Sequence, residues 1–190
     1  QHDPVQWAKH PEVGEALRAS VDQGSDAAAA LLLLGYFPGE PTLKALKDLR
    51  KRAGDAQTEL ATWAPVVPVN LAIAVSLSRL GDQAGRLMLL QTSAEGSLAE
   101  REFLLSVLRE LDSPEVLHAL AAGTLSDVSE IGGGVPSGVQ PQRRLCDLAV
   151  VNFVKRLNLP VNFTVNDQRR FTPAEIDAVR QAMAGSLPRG

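Results

Sequence analysis

The sequence predicts an all-α fold built from short antiparallel helix pairs. Three observations predict it. Leu and Ala, both strong helix formers, carry the apolar content, and only 4% of the 190 residues are aromatic. Apolar residues recur three and four apart in one segment after another. Short clusters of Gly, Pro, Ser and Asp separate those segments. A chain of this length, 45% hydrophobic and 22% charged, can bury a core, and one domain over residues 1–190 is the expectation.

The elements follow in order. Pro11 to Val21 reads as a first helix with Val13, Leu17 and Val21 on one face, ended by Gly24. Ser25 or Asp26 is placed to cap a second helix through Leu34. After the turn cluster Gly35-Tyr36-Phe37-Pro38-Gly39, Pro41 opens an amphipathic helix. Its Leu43, Leu46 and Leu49 line one face and Lys44, Lys47 and Lys51 another, with a break expected at Ala53-Gly54-Asp55. Leu60 to Ala64 is apolar and is followed by Pro65 and Pro68. Val69 to Leu80 is apolar nearly all round, as a central buried helix is, and Gly81-Asp82 stops it.

Helices are next expected over Gln83 to Leu90 and Ser97 to Leu111, the latter with Glu100, Arg101, Arg109 and Glu110 on its outer side. Ser113-Pro114-Glu115 combines a cap, a proline at the first helical position and an acid in the first turn. Residues 127–142 read as a long loop around Gly132-Gly133-Gly134. Arg143 to Leu157 reads as helix and Leu159 to Val165 as extended chain. Thr172-Pro173-Ala174-Glu175 is a capping box that opens a last helix with Ile176, Val179, Arg180 and Met183.

Paired short helices with similar breaks suggest a repeat array. Leu80-Gly81-Asp82 precedes a helix holding Leu87 and Leu90, and Leu111-Asp112-Ser113 precedes one holding Leu117 and Leu120. The run Leu71-Ala72-Ile73-Ala74-Val75-Ser76-Leu77-Ser78-Arg79-Leu80-Gly81-Asp82 resembles the second helix and turn of a degenerate HEAT-type repeat. Arg144-Leu145-Cys146-Asp147-Leu148-Ala149-Val150 resembles the start of a terminal repeat helix. The resemblance covers about residues 40 to 160. It departs from the family in its uneven period and in the Gly-rich insertion near Gly133. It implies a HEAT-like α-solenoid whose concave surface binds another protein. Adaptors, and immunity proteins that neutralise a toxin, are among the small bacterial proteins of this look. An irregular helical bundle is the alternative architecture.

Composition narrows the chemistry. A net charge of −3 is poorly suited to bulk attraction to nucleic acid, so no nucleic-acid partner is expected. The longest apolar runs, Ala27 to Gly35 and Val66 to Val75, fall short of the roughly 20 residues of a membrane-spanning helix. The lone Cys146 forms no disulfide within the chain and reads as a small buried hydrophobe. His2, His10 and His118 lie in unrelated segments, and no metal or other cofactor is expected. The polar start Gln1-His2-Asp3-Pro4 carries no methionine and is that expected of a mature exported bacterial protein, hence a periplasmic or secreted one, with the cytoplasm as the alternative.

No nucleophile elbow, zinc-protease helix, phosphate-loop lysine or dinucleotide fingerprint is present. A non-enzymatic protein-binding module is therefore the expected function. The alternative is a small hydrolase or transferase with a site assembled from scattered Asp, Glu and Arg. The candidate partner-binding residues are the basic stripe Lys44, Lys47 and Lys51, the pair Arg143 and Arg144, Trp63 as an aromatic anchor, and Gly133 and Val135 in the loop.

Overall fold

A computed structural model describes residues 4–22, 27–55, 69–131 and 143–186. Over these residues the chain forms ten α-helices and one two-stranded antiparallel ribbon. It divides into two compact units, Gln1–Leu89 and Leu90–Gly190.

The first unit holds α1 (Pro4–Trp7), α2 (Pro11–Asp22), α3 (Ala27–Leu34), α4 (Glu40–Asp55) and α5 (Val69–Arg79), and α6 (Gln83–Glu95) begins in it. Seven consecutive residues of α5, Leu71 to Leu77, are buried, because α3 and α4 both pack against it. Each fully buried Leu here contributes about 1.5–3 kcal/mol through loss of apolar surface from water. Leu31 and Leu34 of α3 and Leu46 of α4 supply the facing side chains. The one hydroxyl within that run, on Ser76, donates to the Leu31 carbonyl, so its burial leaves no unpaired donor. Helix α4 continues through Ala53-Gly54 to Asp55 rather than breaking there.

Helix α5 ends in a Schellman turn. The Asp82 amide donates to the Leu77 carbonyl at 2.9 Å and the Gly81 amide to Ser78 at 3.0 Å. Gly81 has φ of +82°, which a residue without Cβ adopts freely. Gly85, one turn into α6, lies close to α5: a Cβ there would stand 2.7 Å from Leu77 Cβ and 2.9 Å from the Ser78 nitrogen.

The second unit is built around α9 (Leu145–Leu157), with Leu145, Cys146, Ala149, Val150, Val151 and Phe153 buried. Against it pack α7 (Leu98–Ser106), a 3-10 turn (Leu108–Glu110), α8 (Pro114–Thr124) and α10 (Pro173–Ser186). The predicted starts of α8 and α10 are observed. Ser113 Oγ accepts from the Val116 amide, and Thr172 and Glu175 exchange side-chain-to-backbone bonds in both directions. Ile176, Val179 and Met183 are the buried face of α10.

Three further local expectations change. The Ser97–Leu111 segment is split, because Val107 leaves helical geometry at φ −102°, ψ 21° and the chain tightens into the 3-10 turn. Helix α6 runs five residues past Leu90. The chain expected to loop from residue 127 instead forms β1 (Glu130–Ile131), which pairs with β2 (Arg143–Arg144), Glu130 opposite Arg144 and Ile131 opposite Arg143. Helix α9 consequently starts at Leu145. Residues 159–165, expected as extended chain, form neither helix nor strand; Phe163 packs on Phe171 at 5.7 Å between ring centroids, and Arg169 donates to the Thr164 carbonyl.

Candidate functional site

The basic face of α4 begins with why that helix presents it. Thr42 and Leu46 are buried, and Arg18 of α2 donates to Thr42 Oγ1 at 3.1 Å, fixing the helix's rotation. The opposite side therefore carries Lys44, Lys47 and Lys51 outward, all exposed. Five basic residues against three acidic ones lie on α4, in a chain whose net charge is −3. Among the described residues, Lys44, Arg50 and Lys51 make no ion pair, whereas Lys47 Nζ lies 3.0 Å from Asp82 Oδ2.

Asp82 is the residue that organises this region, and it was not among the sequence candidates. Its Oδ1 accepts from the Gly85 amide at 3.0 Å, capping α6, while its Oδ2 takes Lys47. Burial pushes its carboxyl up, but the Gly85 amide and the Lys47 ammonium outweigh burial and hold it below the usual carboxylate range. Lys47, Arg50 and Lys51 from α4 and Asp82 and Ala84 at the start of α6 line a surface hollow of about 460 Å³. The Gly-Asp turn after an apolar helix was the available signal, since Asp is a favoured cap, but its meeting with Lys47 is set by how α4 packs on α5.

The other sequence candidates lie elsewhere. Arg144 stands at the N-terminus of α9 and is turned inward. Its Nε and Nη2 clasp Asp147 at 2.8 and 2.7 Å, and Nη2 also donates to the Phe171 carbonyl at 2.8 Å. Its guanidinium holds the helix end through Asp147 and the Phe171 carbonyl rather than standing out toward a partner. Arg143, on β2, is half-buried, and its Nε makes no hydrogen bond among the described residues. Trp63, Gly133 and Val135 lie outside the described residues. The structure thus brings together Lys44, Lys47 and Lys51 and places the two arginines in the other unit.

Among the described residues Asp147 is the most buried charged group, with 1% of its side chain exposed. Besides Arg144 it accepts from the Phe171 amide at 2.8 Å, which ties α9 to the segment leading into α10. Burial raises its pKa, but Arg144 and the two backbone amides prevail and lower it. The same balance lowers Asp127, bound by the Ser129 amide and by Arg101 at 2.7 Å. Arg101, expected on the outer side, is only 17% exposed and also donates to the Gly123 carbonyl. Glu175 is lowered first by the Thr172 amide of its capping box. Burial and the Asp147 charge push the Cys146 thiol up, which leaves it protonated and unreactive.

The oxygens of these carboxylates are engaged by backbone amides and basic side chains of the chain itself, which fixes local geometry. No group of three or more His, Cys, Asp or Glu among the described residues is placed to hold a metal ion. No helix among them is long and apolar enough to cross a membrane. What the α4 face offers chemically is an array of cations open to solvent. Compared with protein-family models, curated proteins and solved structures, the chain matches none.

Proposed function

We propose that the chain is a non-enzymatic protein-binding module whose contact face is the basic side of α4, and that its partner presents acidic groups there. The observation that carries this reading is the excess of basic over acidic residues on α4, five against three. Lys44 and Lys51 stand exposed and without an ion pair among the described residues, although acids outnumber bases over the whole chain. Exposed cations that form no ion pair within their own chain raise the encounter rate with an acidic surface and fix its orientation. The helical-repeat reading, with short helices in pairs, belongs to the same proposal. It is supported by the tight turn at Gly81-Asp82 between α5 and α6 and by the capped start of α8 after Leu111-Asp112-Ser113. Such modules serve as adaptors or as neutralising partners.

The test compares proteins retained from a lysate of the source by the immobilised chain and by its Lys44→Glu/Lys51→Glu variant, quantified by mass spectrometry. One protein retained near stoichiometry by the first, released by raised salt and lost from the second is the expected result. Retention indifferent to the charge reversal overturns the assignment of this face.

A further inference from the structure

The hollow between α4 and the start of α6 carries more positive charge than its own acid neutralises. Three of its lining side chains are Lys47, Arg50 and Lys51, and one is Asp82. Both Asp82 oxygens are engaged, one by the Gly85 amide and the other by Lys47. Arg50 and Lys51 line the hollow and have no ion pair among the described residues, so its lining residues carry about two positive charges in excess of Asp82. This hollow, at about 460 Å³, is shallow and open to solvent, with room for more than a single small ion.

We infer that this hollow binds a multiply charged phosphate group, either a free diphosphate-type anion or a phosphate ester on a larger molecule. The donor set selects that chemistry. Arg50 offers a planar fork of N–H groups that matches two oxygens of one phosphate. Lys51 and Lys47 add two ammonium groups, each with several donors, which act as point charges. A single carboxylate would use one fork and neutralise about half of the excess. A dianionic or trianionic phosphate neutralises all of it and has oxygens for each donor. Ala84, small and at the first turn of α6, leaves the approach uncrowded. The inference goes beyond the protein-binding reading and does not depend on it, since a free anion needs no protein partner.

The test titrates sodium pyrophosphate, and separately a short phosphoserine peptide, into the full chain at low ionic strength. Backbone amide shifts of Ala84, Gly85 and Lys51 are followed by NMR. Saturable shifts confined to this region are expected, with affinity about tenfold weaker in Arg50→Gln and in Lys51→Gln, since each removes charge-assisted hydrogen bonds. Lys44→Gln, which alters α4 outside the hollow, is expected to change affinity less than about twofold by screened long-range attraction alone. Tighter binding of pyrophosphate identifies the free anion as the occupant, and tighter binding of the peptide identifies the ester. Absence of saturation with either probe overturns the inference, and so does an equal loss in Lys44→Gln, which would mark diffuse charge attraction. Failure here with the lysate partner still retained leaves the protein-binding reading standing.

Discussion

The two units differ in how they use several of their charges. In Leu90–Gly190 the notable charges are spent inward. Arg144 and Asp147 clasp each other and Phe171, Arg101 joins Asp127 to Gly123, Arg169 meets Glu175, and Arg180 reaches the Leu125 carbonyl. In Gln1–Leu89 the buried stretch of α5 is free of charge, and Lys44, Lys47 and Lys51 of α4 are exposed, Lys47 being paired with Asp82. The difference teaches that a count of basic residues does not locate a binding face. A guanidinium with an internal carboxylate is part of the scaffold, whereas an ammonium held out from a buried apolar face remains available to something else.

Acid gives the widest test of that contrast. Asp127, Asp147 and Glu175 of the second unit, and Asp82 of the first, all have lowered pKa values. A carboxyl whose folded pKa lies below its unfolded value stabilises fully above the unfolded value, and that contribution is lost as pH falls through the folded one. Stability is therefore expected to hold from neutral pH to about pH 5 and to fall below about pH 4. Amide exchange at low pH should show α9 and α10 losing protection before α5. Loss in the reverse order would contradict the account of where charge is structural.

A single substitution comes next. Asp147→Ala leaves Arg144 and the Phe171 amide without their shared acceptor and is expected to cost about 3 kcal/mol, the loss that follows removal of one partner from a buried pair. Urea unfolding measures it, and a cost near zero would make the clasp incidental. Gly123→Ala should cost about 1–3 kcal/mol by overpacking, because its Cβ would be driven into the Ser93 carbonyl, a backbone atom that cannot rotate away. The smallest effect sharpens the contrast from the other side. Lys44→Gln with Lys51→Gln is expected to change stability by less than about 0.5 kcal/mol, as at surface positions without structural partners. A thermal melt matching that of the unsubstituted chain would confirm that these charges do nothing for the fold.

Much of the helical architecture could be read from the residues. The buried face of α10, the proline-led start of α8 and the capping box at Thr172 are local patterns, and local patterns are written in spacing and side-chain type. Ser97-Leu98-Ala99-Glu100 carries the same box at the start of α7 and was equally legible. The short ribbon was not, since two residues per strand are too few to show alternation. Nor was the interior position of Arg101, which follows from Asp127 and Gly123 lying more than twenty residues away.

The sequence by itself determined that this chain is helical, where most of its helices start, and that α4 has one apolar and one basic face. Those features depend on residues within a turn or two of each other. Only the tertiary structure decided which charges are spent and which are left. That outcome depends on what packing brings within about 3 Å: Phe171 against Asp147, Asp127 against Arg101, and Asp82 against Lys47 but not Lys51. Coulomb attraction and hydrogen bonding act over such distances regardless of sequence separation, so the candidate site emerges from the fold, although its cations can be counted beforehand.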